Sequence, residues 1–248
     1  MDKKIAQSIE HWKQRTGYTL LDVKAALIDM DGTLYDSMRN HTASWYRLMT
    51  EQGIDCTRDE FYLYEGMTGA STITRLWKRQ WDKTPTPEEI KELYHRKTLY
   101  FNEFPKVDPM PGAQNMVAGL MSNGITTVLV TGSGQPSVLD RLATDYPGAF
   151  TDNHRVTARN VTHGKPHPEP YLKGMEMAAV EPWQAMAIEN APIGVESAVA
   201  SGAFTIALTT GPIPTETLAA AGADLVLPSM QALDDILPIL LPLISDKK

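Results

Sequence analysis

Short apolar runs separated by helix-like segments constrain the fold of this chain more than any other feature. The runs are rich in Val, Ile, Leu and Ala, which is typical of strands buried on both faces of a parallel sheet. They lie at residues 23–28, 126–130, 185–188 and 204–208, with a weaker run at 223–227. Segments 136–146, 168–179 and 194–201 predict helices between the last four runs. This alternation predicts a doubly wound, Rossmann-like parallel α/β sheet, with functional loops at the carboxyl ends of the strands.

A different pattern fills residues 36–111. The segment is rich in Trp, Tyr, Arg, Lys and Glu, has helical periodicity and shows no convincing strand. Pro85 and Pro87 divide it between two helices, with Thr84 or Thr86 as the N-cap of the second. We therefore predict an α/β core domain of residues 1–37 and 109–248 and a helical cap domain of residues 38–108, inserted after the first strand. The active site would lie between them.

The two ends of the chain give no sign of a membrane segment. The first 20 residues lack an apolar core of signal-peptide length, and Ile5, Ile9 and Trp12 lie at helical spacing among charges. We predict a short amphipathic helix there. The longest apolar stretch, residues 236–244, contains two prolines and is far shorter than the roughly 20 residues that span a bilayer.

Charge and cysteine content exclude further classes of protein. The net charge of −7 and the pI near 5.4 argue against nucleic-acid binding, which depends on clustered Lys and Arg. Cys56 is the only cysteine, so an intramolecular disulfide and metal clusters that need paired cysteines are excluded. We expect a monomeric cytoplasmic protein whose partner is a small molecule, with no nucleic-acid or membrane partner.

The strongest chemical signal is the run AALIDMDGTLYDS. It places Asp29 and Asp31 at the end of the first apolar run, followed by Gly32 for a sharp turn. Two carboxylates at this spacing can converge on one bound ion. One then serves as ligand and nucleophile, and the other as proton donor to a leaving group. The alternative for an isolated Asp-x-Asp-Gly sequence is a solvated turn.

Two later segments carry groups suited to phosphate. The run VLVTGSG ends a predicted strand with Thr131, whose hydroxyl, together with the amides of Gly132 and Ser133, can hold phosphate oxygens. The segment HGKPHPEPYL places Lys165 in a stiff proline-rich loop, from which its cation can face a transferred phosphoryl group. Taken alone, either segment also fits an ordinary turn or a solvated lysine.

A fourth segment, MAIENAPIGVESA, ends a predicted strand with Glu189 and Asn190 and then enters a helix. These residues place two oxygen-bearing side chains opposite the Asp29 loop. Both side chains offer hard oxygen ligands of the kind that bind Mg²⁺, although Asn190 contributes a neutral amide rather than a carboxylate.

Together the four segments resemble the four motifs of the haloacid dehalogenase superfamily, and the helical insertion resembles the cap of its β-phosphoglucomutase-like branch. The resemblance runs from about Val23 to the C-terminus. It implies an Mg²⁺-dependent enzyme in which Asp29 forms an aspartyl phosphate and Asp31 is the general acid and base. Thr131 and Lys165 would assist catalysis. The metal-binding set would be Asp29, Asp31 (through its backbone carbonyl), Glu189 and Asn190, with Asn190 in place of the usual aspartate.

The resemblance also draws attention to the cap. His41 and Trp45 match positions near the cap hinge. His41 would shuttle protons or gate closure of the cap; the alternative is that it only hydrogen-bonds across the hinge. Trp45 would pack in the core of the cap. Glu65 lies in the cap loop that faces the active site and sets substrate choice. It would reach the metal when the cap closes, or else cap a turn or pair with a nearby cation. Gly69 stands where the mutases of the branch carry an arginine.

The favoured function is hydrolysis of a small phosphorylated compound, with inorganic pyrophosphate as one candidate. A sugar phosphate mutase of the β-phosphoglucomutase type is the alternative, because that activity belongs to the same branch. An alternative of another class is a non-catalytic binding protein with a weakened metal site, which Asn190 alone supports. Dehalogenation needs neither a second aspartate nor Mg²⁺, so Asp31 favours phosphate chemistry.

Overall fold

The protein contains a six-stranded sheet in which all strands are parallel. A computed structural model describes residues 1–245. The strands, in the spatial order β3-β2-β1-β4-β5-β6, are β1 Ala25–Ile28, β2 Thr126–Val130, β3 Arg155–Val156, β4 Ala185–Glu189, β5 Phe204–Leu208 and β6 Leu225–Leu227. This confirms the predicted doubly wound α/β fold. Strand β3 was not predicted, because a strand of two residues, one of them arginine, is too short to show a periodic pattern.

The helices lie in the order that the sequence predicts. They are α1 Asp2–Thr16, α2 Met38–Glu51, α3 Glu60–Leu63, α4 Gly69–Trp81, α5 Pro87–Asn102, α6 Ala113–Ser122, α7 Pro136–Leu139, α8 Leu142–Asp145, α9 Glu169–Ala178, α10 Pro192–Ala200, α11 Thr215–Ala220 and α12 Met230–Ile244. Segment 136–146 is two short helices rather than one. The cause is a tight turn at Arg141, whose N–H bonds to the carbonyl of Val138, three residues back. Every helix within residues 1–245 is too short or too polar to cross a bilayer.

Side chains of β1 alternate between two buried layers. Ala26 and Ile28 belong to a large apolar cluster that includes residues of α1, α6 and α12, whereas Leu27 belongs to a cluster with Tyr171 and Met175 of α9. The sheet is therefore covered by helices on both faces, which explains why its strands are continuous apolar runs.

The N-terminal helix α1 is an integral part of this core. Ile5 and Trp12 are fully buried, and the Trp12 indole N–H donates to the carbonyl of Gly202 at 3.0 Å. Arg15 of the same helix forms an ion pair with the buried Asp224 at 2.8 Å. The amphipathic pattern of α1 thus reflects a docked helix.

We expect Trp12→Ala to lower the free energy of unfolding by about 3–5 kcal/mol, because it leaves a large cavity and an unpaired carbonyl. Urea denaturation followed by circular dichroism measures this change. Trp81→Ala is the matched control, since Trp81 is partly exposed on the cap, and it should cost much less. Equal losses in the two variants would contradict a structural role for α1.

Helices α2–α5, which we call the cap, follow β1 directly. They pack through a separate apolar cluster that includes Leu48, Phe61, Leu76 and Leu93. Thr86 rather than Thr84 caps α5: its hydroxyl accepts from the N–H of Glu89 at 3.2 Å, and the Glu89 carboxylate accepts from the N–H of Thr86 at 2.7 Å. The division into domains at residues 37/38 and 108/109 stays a prediction.

Candidate active site

Three predicted site residues lie at the carboxyl ends of adjacent strands. Asp29 follows β1, Thr131 follows β2 and Glu189 ends β4; β1 pairs with both of the other strands. The strand order reverses between β1 and β4, and open α/β sheets bind ligands at such a point. A cavity of about 50 Å³ opens there, lined by Asp29, Asp31, His41, Glu65, Thr131, Gly132 and Ser133 among others.

Lys165 is buried beneath this cavity and connects two of the predicted acids. Its Nζ donates to Asp29 Oδ1 at 2.6 Å, to Glu189 Oε1 at 2.5 Å and to the carbonyl of Val130 at 3.0 Å. These three bonds use all three donors of the ammonium group. Burial opposes the charge, but the two carboxylates raise the pKa of Lys165 above its ordinary value. Lys165 is therefore a fixed cation beside Asp29.

Glu189 makes protein contacts through both of its oxygens. Oε1 accepts from Lys165 and from the Tyr171 hydroxyl at 2.8 Å, and Oε2 accepts from the N–H groups of Asn190 at 3.0 Å and Ala191 at 3.2 Å. Tyr171 was not singled out from the sequence, because a tyrosine on a core-facing helix position looks like packing. In this arrangement Glu189 holds Lys165 in place, and its role as a metal ligand stays a prediction.

Asp31 has a different set of partners from Asp29. Its Oδ1 accepts from the Ser37 hydroxyl at 2.6 Å and contacts His41 Nε2 at 3.0 Å. Burial alone would raise the pKa of Asp31, but His41, Ser37 and Lys97 together lower it to about 2. The carboxylate form therefore requires His41 to donate through Nε2, so that Nδ1 is left as an acceptor.

The acceptor Nδ1 of His41 faces Lys97 Nζ at 2.6 Å. Lys97 lies on α5 of the cap and is only 1% exposed, and burial lowers its pKa to about 7. Lys97 was not predicted as a site residue. A signal was present, because Lys97 stands four residues after Leu93 and four before Phe101, both buried, and so occupies the apolar face of its helix. Asp31, His41 and Lys97 form a continuous buried chain from core to cap.

Glu65 joins the cap loop to the core through Asn190. The Asn190 Nδ2 group donates to Glu65 Oε1 at 2.7 Å, while Asn190 Oδ1 accepts from the Thr33 hydroxyl at 3.2 Å. Asn190 thus presents its N–H group rather than its oxygen to Glu65. Burial raises the pKa of Glu65 well above its ordinary value, and the nearby Asp29, Glu189 and Asp31 add to this effect.

Gly32 makes room for this contact. Its φ of 78° lies in the left-handed region, and an added Cβ would lie 2.0 Å from Asn190 Nδ2 and 2.5 Å from Glu65 Oε1. Any other residue type would be strained at this φ and would displace the ends of the Asn190 and Glu65 side chains.

The predicted phosphate-binding residues form a compact turn after β2. The Ser133 N–H donates to the Thr131 hydroxyl oxygen at 2.9 Å, and the Thr131 hydroxyl keeps its own proton to donate. The Gly134 N–H donates to the hydroxyl of Tyr94, a cap residue, at 3.0 Å. Tyr94, which the sequence analysis did not single out, therefore ties the cap to this turn.

The site fits a divalent cation. Four buried carboxylates, Asp29, Asp31, Glu65 and Glu189, surround it, and Lys165 is the cation that contacts Asp29. Burial raises the pKa of Asp29 well above its ordinary value; Lys165 opposes this, and Glu189 and Asp31 add to it. An oxygen-rich set with unbalanced negative charge is the environment in which Mg²⁺ binds.

The sequence matches the family of haloacid dehalogenase-like hydrolases over residues 26–208. The chain belongs to this family, and its relatives place it in the β-phosphoglucomutase-like branch. A solved structure named "Putative beta-phosphoglucomutase" from Bacteroides vulgatus has a TM-score of 0.95 and 42% sequence identity, covering 99% of this chain and 100% of that one. Hexitol phosphatase A of Escherichia coli (strain K12) is 28% identical over 84% of this chain and 92% of its own length. Beta-phosphoglucomutase of Bacillus subtilis (strain 168) is 26% identical over 76% of this chain and 84% of its own length.

Proposed function

We propose that this protein is an Mg²⁺-dependent phosphohydrolase that forms an aspartyl phosphate on Asp29 and acts on a small phosphorylated compound. One observation carries the proposal: two adjacent buried carboxylates share one cavity but have different partners. Asp29 contacts Lys165, whereas Asp31 contacts Ser37 and His41. Two carboxylates whose surroundings differ in this way can take the separate roles of nucleophile and acid–base.

The reaction has two steps. In the first, a carboxylate oxygen of Asp29 attacks phosphorus, the bond to the leaving oxygen breaks, and Asp31 passes to that oxygen a proton that it receives from His41 and Lys97. In the second, Asp31 takes a proton from water, which attacks the phosphoryl group and regenerates the Asp29 carboxylate. Lys165 stabilises the charge that develops on the phosphoryl oxygens, and the Thr131 hydroxyl donates to one of them.

Protons reach Asp31 through the buried chain from the cap. His41 bonds to Asp31 on one side and to Lys97 on the other, and Lys97 with a pKa of about 7 exchanges its proton near neutrality. Because both His41 and Lys97 lie on cap helices, the chain is complete only when the cap is closed. Bound Mg²⁺, held by Asp29, Asp31, Asn190 and Glu65, would offset the repulsion between these oxygens and the substrate's phosphoryl group.

The size of the cavity favours a compact substrate. About 50 Å³ is enclosed between the core and the cap. The ring of Tyr94 fills the space over Gly69, where an added Cβ would lie 2.2 Å from Tyr94 Cδ2. Inorganic pyrophosphate is the most compact of the candidate substrates, because its leaving group is another phosphate. Glu65 supports the same substrate, since a cap carboxylate bound to the metal would leave little room for a sugar.

The second candidate is a mutase or phosphatase of hexose phosphates. The names of the relatives favour it, because they include β-phosphoglucomutase and hexitol phosphatase A. Gly69 stands where the mutases carry an arginine, and this difference argues against mutase activity. The rates of phosphate release from pyrophosphate, hexose phosphates and hexitol phosphates, measured with Mg²⁺ present, show which of these compounds the protein hydrolyses. Conversion of β-glucose 1-phosphate to glucose 6-phosphate without phosphate release would refute the phosphohydrolase and support mutase activity.

We expect Glu65→Ala to raise the Mg²⁺ concentration for half-maximal activity roughly 10–100-fold, as the loss of a group that supports a metal site does. It should also reduce the preference for pyrophosphate over hexose phosphates, because the cavity grows. Glu65→Gln is the matched control: it keeps the volume and the contact with Asn190 but removes the charge, so only the Mg²⁺ requirement should change. An unchanged Mg²⁺ requirement and substrate ranking in Glu65→Ala would show that Glu65 only holds the cap loop against the core through Asn190.

A further inference from the structure

A group of three potential metal ligands lies outside the active site, on the loop that carries Lys165. His163, His167 and Glu169 each offer one ligand atom, and these atoms lie within 4.8 Å of one another. The Lys165 side chain is buried, whereas the side chain of His163 is 62% exposed. The cluster therefore faces solvent while the same loop holds Lys165 against Asp29.

Glu169 is fixed at the centre of this cluster. Its Oε1 accepts from the N–H of Thr162 at 2.8 Å and its Oε2 accepts from the N–H of His163 at 2.9 Å. These bonds lower the pKa of Glu169 to about 2, so the carboxylate is charged at neutral pH. Each oxygen accepts only one backbone N–H, which leaves a second lone pair on each for another partner.

His163 already occupies the second position on Oε2. Its Nδ1 lies 3.1 Å from Glu169 Oε2. Nitrogen and oxygen ligands of a tetrahedral Zn²⁺ ion, each about 2.0–2.2 Å from the metal, lie about 3.3 Å apart. The pair therefore needs only a small shift to hold a metal ion in place of the hydrogen that it now shares.

His167 supplies the third ligand from the other end of the loop. Its ring centroid lies 4.7 Å from that of His163. The His167 carbonyl accepts from the Ser197 hydroxyl of α10 at 2.6 Å, and Pro166 and Pro168 flank the residue and restrict its backbone. Metal binding through Nδ1 of His167 would cost one long bond, the 3.2 Å contact from the N–H of Glu169.

We propose that His163, His167 and Glu169 form a surface site for a borderline divalent metal ion such as Zn²⁺, distinct from the Mg²⁺ site. Two imidazoles and one carboxylate favour Zn²⁺, Ni²⁺ or Cu²⁺ over Mg²⁺, which prefers oxygen ligands and retains its water. Solvent exposure leaves a fourth position for water. A bound ion would join residues on both sides of Lys165 and so would restrain the loop from its outer surface.

The test is a titration of the full chain with Zn²⁺ in saturating Mg²⁺, read by calorimetry and by thermal unfolding. The wild type should bind one equivalent of Zn²⁺ that His163→Ala and His167→Ala each lose or bind at least about tenfold more weakly. The rise in Tm on adding Zn²⁺ should disappear with it. His95→Ala, which removes an exposed cap histidine, should retain both effects.

Two further measurements distinguish loss of the Zn²⁺ site from loss of folding and locate the bound ion. His163→Asn is a conservative variant, and unchanged circular dichroism with retained Mg²⁺-dependent activity would show that it folds; it should still lose the Zn²⁺ equivalent. Hydrogen exchange of residues 161–168 should slow on Zn²⁺ binding in the wild type and in His95→Ala only. The same Zn²⁺ stoichiometry and affinity in the wild type, His163→Ala and His167→Ala would overturn the proposal. That outcome would leave the proposed phosphohydrolase function untouched.

Discussion

Asp29→Ala is expected to reduce turnover by about 10⁴-fold, which corresponds to about 5 kcal/mol of activation free energy. Without the carboxylate no phosphoryl group can be transferred to the protein, and water would have to attack the substrate directly. Lys165 would remain paired with Glu189 at 2.5 Å, so the cation beside the substrate would stay in place. The loss therefore reports on the nucleophile rather than on collapse of the site.

Two measurements accompany the rate. The wild type, quenched in acid during turnover, should show a covalent adduct of one phosphoryl group by mass spectrometry, and Asp29→Ala should not. Asp36→Ala is the matched control, because Asp36 is an exposed aspartate of the same loop and its loss should leave turnover within about twofold of the wild type. More than about a tenth of wild-type turnover in Asp29→Ala would refute the nucleophile assignment.

The fold could be predicted because it depends on local patterns. Strands buried on both faces give apolar runs, and β1, β2, β4 and β5 were found in this way. The grouping of the motifs also followed from the sequence, since the carboxyl ends of parallel strands meet at one edge of a sheet. Asp29, Thr131 and Lys165 lie together there, as this rule requires. Their catalytic roles stay predictions.

The contacts between cap and core could not be predicted from local patterns. Glu65 and Asn190 are 125 residues apart, and only the docking of the cap brings them together. Packing among the cap helices likewise decides that Lys97 faces His41 and that Tyr94 covers Gly69. Helical periodicity can indicate that a side chain is buried, as for Lys97, but it does not identify the residue that the side chain contacts. The size of the cavity depends on such contacts.

Removal of divalent metal with excess EDTA is expected to abolish turnover, and added Mg²⁺ should restore it. The reason is electrostatic. A phosphorylated substrate must enter a cavity that is lined by the carboxyl groups of Asp29, Asp31 and Glu65. Negative charges on the substrate and the protein repel one another strongly in a buried site. Activity before and after dialysis against EDTA, followed by titration with Mg²⁺, measures the effect. Full turnover in excess EDTA would exclude the metal.

The same carboxylates predict a pH dependence of stability that does not rely on activity. Without metal, burial raises the pKa of both Asp29 and Glu65 well above their ordinary values. The native state then binds more protons than the unfolded state between the ordinary and the raised pKa values. Stability contributed by these groups is therefore present at low pH and is lost as the pH rises through the raised values. His41 and Lys97, whose pKa values burial lowers, contribute in the opposite sense over part of this range. The carboxylate contribution is therefore the difference between two proteins: as the pH falls from 7.5 towards 5, the metal-free wild type should gain stability relative to Glu65→Gln.

Mg²⁺ should remove most of this dependence, because it offsets the repulsion that protons otherwise relieve. At a concentration near 100 times its Kd, Mg²⁺ should raise Tm by about 5–10 °C at pH 7.5. At pH 5 the rise should be smaller, since protons compete for the same oxygens. Glu65→Gln removes one of the two titrating groups, so the Mg²⁺-induced rises in Tm at pH 7.5 and at pH 5 should differ less in this variant than in the wild type. Calorimetric scans in EDTA and in Mg²⁺ test this, and an equal Mg²⁺-induced shift at both pH values would show that the buried carboxylates are not the metal site.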